Sequence, residues 1–315
     1  MLGRTANDLY WLSRYIERAE NIARLLEVGY RIVLLPREGE GFHEEWRSTL
    51  ESAGCMQGYM QRHGDLVSRK VIDYMLFDTS NPSSIAACLA GARRNGRAQR
   101  TSLTREMWQS LNSSCLEFQA IKPATITSNS LPELLDWVRA RSALYRGAML
   151  NTILRNDTFY FSQIGTFLER ADSSARILDV KYYHLLPSSE MVGSGKDNFQ
   201  WSVLLRSVSA HRSYRWVFKD QYRPLKIADF MILNRQMPRS LRACYDELTV
   251  ALRDLAALYG ARHDCHATVE ATRDLLLEAD IEAVFQSGLH EFVQDFIGRN
   301  NRLGNEISAA YHFID

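Results

Sequence analysis

The sequence has few cysteines and no long apolar run. The cysteines are odd in number, lack any Cys-x-x-Cys pair and lie far apart: Cys55, Cys88, Cys115, Cys244 and Cys265. Such a set argues against a disulfide framework and favours reduced thiols. Apolar runs such as residues 32–35 are too short to span a bilayer, and the opening residues lack the pattern of a secretory signal. We therefore expect a cytoplasmic protein that does not enter a membrane.

An excess of charge of one sign is also missing. The chain has 38 basic and 37 acidic residues, for a net charge of +1. This balance gives no reason to expect a nucleic-acid partner or a membrane surface as a partner. The hydrophobic fraction of 46% and the charged fraction of 24% are typical of a globular protein with a sizeable core.

What the sequence does have is helical periodicity almost throughout. Near the N-terminus, Leu12, Tyr15, Ala19, Ile22 and Leu26 recur at steps of three or four, which places them on one helix face. The breaks between such segments contain proline or glycine: Pro36, Gly39, Gly41, Gly64, Pro82, Pro123, Pro187, Pro224, Pro238 and Gly260. We expect an all-α protein.

One stretch of this pattern occurs twice. ERAENIARLLEV begins at Glu17 and ERADSSARILDV begins at Glu169, and seven of their twelve positions are identical. Two further pairs of segments match in the same order along the chain: Val71 to Cys88 with Ile227 to Cys244, and a weaker pair that begins at Trp46 and Trp201.

The offsets between the copies are 152, 155 and 156 residues, which is far longer than a solenoid repeat. We therefore predict that residues 1–152 and 153–315 are two related helical halves. We expect a pseudo-two-fold axis to relate them, with or without one shared core.

Both copies keep a charged stripe. Glu17, Glu20 and Arg24 share one face of the first helix. The second copy has Glu169, Asp172 and Arg176 at those positions, while Arg18 and Arg170 lie to the side. A solvated face with weak i,i+4 pairs is one interpretation. The other is a buried, paired network, because a buried charge is costly unless its partner persists with it. Such a network is either structural or the lining of a ligand pocket.

The segment ANDLYWLSRYIERAENIARLLEV resembles the opening of the bacterial alpha-E proteins, a helical family named for an acidic motif. The segment from Phe77 to Asn112 resembles the family's next block, with its Arg-rich helix and Glu-Met-Trp segment, and the resemblance covers the whole chain. It implies that a circularly permuted ATP-grasp protein and a transglutaminase-like protein are partners in forming or modifying amide or peptide bonds. The resemblance assigns no catalytic residues.

Other candidate sites are weaker. Arg93, Arg97 and Arg100 are spaced as one basic helical stripe, which is either a solvated face or a contact for an anion or a partner. GSGKD at residues 193–197 lacks the glycine, hydroxyl and strand of a phosphate loop and predicts an ordinary loop. RHDCH at residues 262–266 offers possible metal ligands without a matching set elsewhere, so we expect a surface turn, no metal and no cofactor.

Two functions therefore remain open. In the first, the chain holds a peptide or carrier substrate for an ATP-grasp ligase, since amide synthesis needs an activated acyl group and this sequence has no phosphate-binding motif. In the second, the chain is an enzyme of the same pathway that uses the Glu/Arg cluster for acid–base chemistry. The sequence favours the first.

Overall fold

A computed structural model describes residues 1–33, 42–184, 195–219 and 222–313. The predicted helix breaks at Pro36, Gly39, Gly41 and Pro187 lie outside these ranges, as do the first two residues of the GSGKD segment. No β-strand occurs in the described ranges, which confirms the all-α prediction.

The α-helices follow one another along the chain as α1 (Gly3–Val33), α2 (Phe42–Ser52), α3 (Met56–His63), α4 (Ser68–Leu76), α5 (Ile85–Ala98), α6 (Arg105–Gln119), α7 (Leu131–Thr152), α8 (Asp157–His184), α9 (Gly195–Ser207), α10 (His211–Phe218), α11 (Pro224–Ile232), α12 (Leu241–Tyr259), α13 (Asp264–Glu278), α14 (Ile281–Ser287) and α15 (Leu289–Ala310). Among the described helices, none is both long and apolar enough to cross a membrane.

The long helices α1 and α8 pack against each other at the centre of the molecule. Helices α5 and α7 pack on α1, and α6 joins them. Helices α12 and α15 pack on α8, and α13 joins them in the same way. One continuous hydrophobic core runs through both groups of helices, so α1 and α8 share their buried faces.

A glycine allows the two central helices to approach closely. A Cβ atom at Gly165 of α8 would lie 2.2 Å from the backbone oxygen of Tyr10 and 3.3 Å from the Cβ of Ser13, both on α1. The apolar side chains around this contact, Leu9, Leu12 and Ile164, are fully buried. Any side chain at position 165 would push the helices apart.

Helices α5 and α12 begin with the same capping geometry. Ser84 and Ser240 are their N-cap residues, and each hydroxyl accepts a hydrogen bond from a backbone N–H three residues on, at 3.1 and 3.0 Å. The residue before the cap is Ser83 in one case and Arg239 in the other. Both segments lead toward the interface of α1 and α8, and this difference in sequence shapes the site there.

Candidate functional site between helices α1 and α8

The two Glu-Arg dipeptides of the chain pair with each other across the helix interface. Glu17 is fully buried, and Arg170 donates to its Oε1 and Oε2 from Nε and Nη2 at 3.0 and 2.9 Å. In the reciprocal contact, Arg18 donates to Glu169 from Nε and from Nη2, the latter at 3.0 Å. Each guanidinium therefore binds its carboxylate bidentately, which is the strongest form of this pair.

A second set of arginines closes the cluster around Glu17. Arg239 donates from Nη1 to Glu17 Oε1 at 2.9 Å and to Asn21 Oδ1 at 3.0 Å. Its Nη2 donates to Glu20 Oε1 at 2.7 Å, so one guanidinium bridges both carboxylates. Arg146 of α7 also contacts Glu17 and Glu20. We call Glu17, Glu20 and the arginines around them the closed cluster.

Arg24 completes the closed cluster. It pairs with Glu20 at 2.6 Å and also donates to the Ser207 backbone oxygen and to Ser209 Oγ, at 3.1 and 2.7 Å. Arg24 is 9% exposed. This burial and pairing of Glu17 and Arg24 confirms the buried-network interpretation for the first copy of the stripe.

The second copy of the stripe is more open. Glu169 is buried and accepts a further hydrogen bond from Arg14 Nε at 2.7 Å. Asp172 accepts from Arg176 Nε at 2.8 Å, but the Arg176 side chain is 34% exposed. The prediction of burial is therefore confirmed for Glu169 and only partly correct for Arg176, because a cleft beside Arg176 leaves part of its side chain in contact with solvent. We call Glu169, Asp172 and the three arginines that pair with them, Arg14, Arg18 and Arg176, the open cluster.

The cleft at the open cluster has a volume of about 280 Å³. It is bounded by α1, α8, the end of α2 and the segment before α5. Most of its lining residues are polar or charged, among them Arg18, Asn21, Ser83, Glu169, Asp172 and Arg176. Larger cavities, of about 470 and 430 Å³, lie away from the Glu-Arg dipeptides and between different helices.

Two polar atoms at this cleft lack a partner. Asp172 Oδ1 and Asn21 Nδ2 are buried and make no hydrogen bond within the described part of the chain. Asn21 is only 4% exposed. A buried polar atom without a hydrogen bond costs about 1–3 kcal/mol, so these two atoms are costly unsatisfied groups beside the cleft.

The three buried glutamates of the two clusters, Glu169, Glu17 and Glu20, stay ionised at neutral pH. Burial alone raises the pKa of Glu169, but Arg18 and Arg14 more than offset this and lower its pKa to about 2. Burial likewise raises the pKa of Glu17 and Glu20, but the surrounding arginines lower the pKa of both: Arg170, Arg239 and Arg146 act on Glu17, and Arg239, Arg146 and Arg24 act on Glu20. These groups are therefore fixed negative charges.

The predicted basic stripe is not one helix face. Helix α5 ends at Ala98, so Arg100 lies in the turn that follows, 5.6 Å from the ring centre of Trp108. Arg93 donates to Asn112 Oδ1 on α6 at 2.8 Å, while Arg97 is exposed. The helical spacing was extrapolated past the point where the chain turns toward α6.

The RHDCH segment is only partly the surface turn that we expected, since Arg262, His263 and Asp264 are exposed and the two residues after them are not. His263 is the N-cap residue of α13, and the first turn of that helix buries Cys265 and His266. The His266 ring lies within hydrogen-bond distance of the Leu252 backbone oxygen, at 3.1 Å. In the described residues, no three His, Cys, Asp or Glu side chains come together as a metal site would require.

Sequence reasoning missed Arg14, Arg146 and Arg239. Arg239 was visible in the alignment of the copies, where NPSS at residues 81–84 faces MPRS at residues 237–240. A search for identical residues misses Arg239, because the two copies differ at this position: the first has Ser83. Arg146 reaches the cluster from α7, so no motif around the Glu-Arg dipeptides indicates it.

These features define a class of protein: an all-helical molecule whose two central helices are joined by buried, cross-paired Glu-Arg dipeptides. The chain belongs to the Alpha-E family, which is described as "a predicted alpha-helical domain with a conserved ER motif" and whose sequence model matches residues 1–312. No curated protein and no solved structure matches the chain significantly. Only Glu17-Arg18 and Glu169-Arg170 have the sequence Glu-Arg in this chain, and they are the residues at the centre of the interface.

Proposed function

We propose that this chain is a substrate-holding partner in an ATP-grasp-linked system that forms or modifies amide or peptide bonds. The cleft at the open cluster is the observation that supports it, because side chains of both signs line a space of about 280 Å³. A cleft lined by both guanidinium and carboxylate groups suits a peptide-like ligand, which has polar groups of both kinds.

Acid–base catalysis by the Glu/Arg cluster is the weaker candidate. A general acid or base works best when its pKa lies near the working pH. The pKa of Glu169 is lowered to about 2, and those of Glu17 and Glu20 are also lowered. At neutral pH these carboxylates bind cations well and exchange protons poorly, which favours holding over turnover.

The partners in this proposal are a circularly permuted ATP-grasp protein, which supplies the nucleotide chemistry, and a transglutaminase-like protein, all in the cytoplasm. Arg97, which is exposed, and the neighbouring Arg93 and Arg100 are the proposed contact for an acidic patch or anion of such a partner. The support for these partners is the resemblance of the chain to its family.

The proposal includes two related halves, residues 1–152 and 153–315. Two observations support them: α5, α6 and α7 pack around α1 as α12, α13 and α15 pack around α8, and Glu17–Arg170 and Glu169–Arg18 are reciprocal contacts. The cleft then lies where the halves meet, and a ligand there would touch both.

Reconstitution with the ATP-grasp protein tests the function. ADP release and ligated peptide are measured with the chain, without it, and with the Ser83→Arg variant, whose side chain would fill the cleft. We expect product to depend on the chain and to be lost with Ser83→Arg. The matched control is Ser83→Ala, which keeps the cleft open and should retain activity.

Product formation that is the same with and without the chain, together with no complex between the proteins, would refute the partner proposal. Turnover of a peptide by the chain alone, abolished by Glu169→Gln in a folded protein, would establish the acid–base enzyme instead. Circular dichroism of each variant separates loss of function from loss of fold.

A further inference from the structure

The closed cluster shows how a guanidinium is bound at this interface. The Arg239 guanidinium bridges Glu17 and Glu20, at 2.9 and 2.7 Å, and Arg239 stands immediately before the N-cap residue of α12. Ser83 stands at the same point before α5 and lines the cleft of the open cluster. A serine is too short to reach the carboxylates as arginine does, so the cleft lies where a guanidinium would otherwise sit.

The Arg239 guanidinium and the cleft beside Ser83 are surrounded by the same number of charged groups. Without Arg239, the closed cluster has two carboxylates and three guanidiniums: Glu17, Glu20, Arg24, Arg146 and Arg170. The open cluster has two carboxylates and three guanidiniums as well: Glu169, Asp172, Arg14, Arg18 and Arg176. The closed cluster holds a fourth guanidinium, that of Arg239, beside two carboxylates and three other guanidiniums. The three arginines of the open cluster therefore do not by themselves prevent a fourth guanidinium from binding there.

Asp172 has one oxygen that its arginine leaves unused. Oδ2 accepts from Arg176 Nε, while Oδ1 is buried and makes no hydrogen bond within the described residues. Aspartate is one methylene shorter than glutamate, which leaves additional room for a ligand group. Asn21, which is 4% exposed, has an unpartnered Nδ2 at the same cleft and could donate to a ligand carbonyl.

We propose that the cleft binds the guanidinium group of a ligand, such as the side chain of an arginine in a peptide, between Glu169 and Asp172. The planar fork of a guanidinium can bridge two carboxylates, as that of Arg239 does, and an ammonium lacks this geometry. This inference rests on the proposed function and names the substrate class for the same cleft: a peptide or carrier that presents an arginine side chain.

The experiment is calorimetric titration of the full chain with N-acetyl-L-arginine N-methylamide, whose only charge is its guanidinium. The matched probe is the citrulline analogue, which has nearly the same shape and no charge, and a third probe is the glutamate analogue. We expect the arginine probe to bind at least tenfold more tightly than the other two. The Asp172→Asn variant should weaken its binding at least tenfold.

The strongest test places the arginine in the chain. We expect Ser83→Arg to abolish binding of the probe and to raise the melting temperature, because its guanidinium would pair with Glu169 and Asp172. Ser83→Ala should bind the probe as the natural chain does. If Ser83→Arg does not fold, Ser83→Gln fills the space without charge, and we expect it to weaken binding.

Equal binding of the arginine and citrulline probes, tighter binding of the glutamate probe, or no binding of any probe would overturn the inference. So would a Ser83→Arg variant that folds and binds the arginine probe normally. These results concern the probe alone: if product formation in the reconstituted system still depends on the chain, the proposed function stands and only its substrate class is wrong.

Discussion

Glu169 illustrates how a carboxylate remains charged after it loses contact with water. Burial disfavours its ionised form, and the two guanidiniums of Arg18 and Arg14 supply the compensating hydrogen bonds. Breaking such a buried pair costs much more than the pair itself contributes, because the remaining charge is left without partners. Residues at this interface should therefore be far more sensitive to substitution than those on the surface.

Arg18→Ala tests this sensitivity. It leaves Glu169 with Arg14 alone, so we expect the free energy of unfolding to fall by about 3–5 kcal/mol. Arg24→Ala should cost less, since Glu20 retains Arg239 and Arg146. The control is Arg299→Ala, which removes an i,i+4 pair with Asp295 that is about half exposed and should cost at most about 1 kcal/mol. Urea unfolding measures all three; equal losses for Arg18 and Arg299 would contradict the argument.

The thiols provide a second prediction at this scale. All five cysteines are buried, and burial raises the pKa of the Cys88 and Cys244 thiols to about 12. A thiol reacts as its thiolate, so both should be unreactive at neutral pH. Titration with an aromatic disulfide reagent should detect almost no free thiol in the native protein and five after denaturation. Rapid reaction of native cysteines would show that the core opens readily.

Among the elements, the contact between α1 and α8 depends on a missing side chain. In Gly165→Ala, the new methyl group would meet the Tyr10 backbone oxygen at 2.2 Å, so the helices must separate. We expect a loss of about 1–3 kcal/mol from this overpacking. The matched control is Gly147→Ala in α7, where a Cβ atom has nothing within 4 Å and alanine should stabilise the helix by about 0.5–1 kcal/mol. Thermal melts of the two variants should shift in opposite directions.

Helix positions could be predicted from the sequence, and some helix ends could not. Apolar periodicity and the breaks at proline and glycine reflect local preferences, so α1 was expected from Leu12, Tyr15 and Ala19 alone. The end of α5 at Ala98 was not expected, since the chain turns there to bring α6 against it. Where such a helix ends is determined by contacts with distant segments. The apolar periodicity of a single segment carries no information about those contacts.

For the whole molecule, the buried carboxylates predict how stability depends on pH. Above about pH 4.5, Glu169 is ionised in both the folded and the unfolded chain, and its ion pairs contribute fully. Below that, the unfolded chain takes up a proton first, and the folded chain does so only near pH 2. The free energy of unfolding should therefore fall between these values, by roughly 3 kcal/mol from this residue.

Denaturant unfolding at a series of pH values from 7 to 2 checks this prediction. Glu17, whose pKa is also lowered, should add to the same slope. In the Glu169→Gln control, the protein should be less stable at pH 7, and the gap to the natural chain should narrow as the pH falls. A gap that stays constant with pH would mean that Glu169 is not held ionised by its arginines.

The sequence indicated some members of the charged clusters but not Arg14, Arg146 or Arg239, and it left the arrangement of the clusters unknown. The retained Glu17, Arg24 and Glu169 predicted buried pairs because desolvated charges need partners. The cross-pairing of Glu17 with Arg170 requires the angle and register of α1 on α8, which follow from packing around Gly165 and Tyr10. Ser83, whose side chain is short, lines the cleft beside Asp172. The importance of a serine there becomes clear only when its position is compared with that of Arg239, the residue at the same point before α12.

The reciprocal Glu-Arg contacts have a consequence for stoichiometry. Two identical half-length chains could satisfy the same four residues by isologous contacts, as in a symmetric homodimer. In such a dimer, the residue before each N-cap would be the same. Both sides would then have an open cleft, as beside Ser83, or both would be filled by an arginine, as by Arg239. A single continuous chain is free of that constraint and here holds Ser83 on one side and Arg239 on the other. If the cleft binds a guanidinium as proposed, each chain offers one such position, on the side of Ser83, because Arg239 already occupies the corresponding position on the other side.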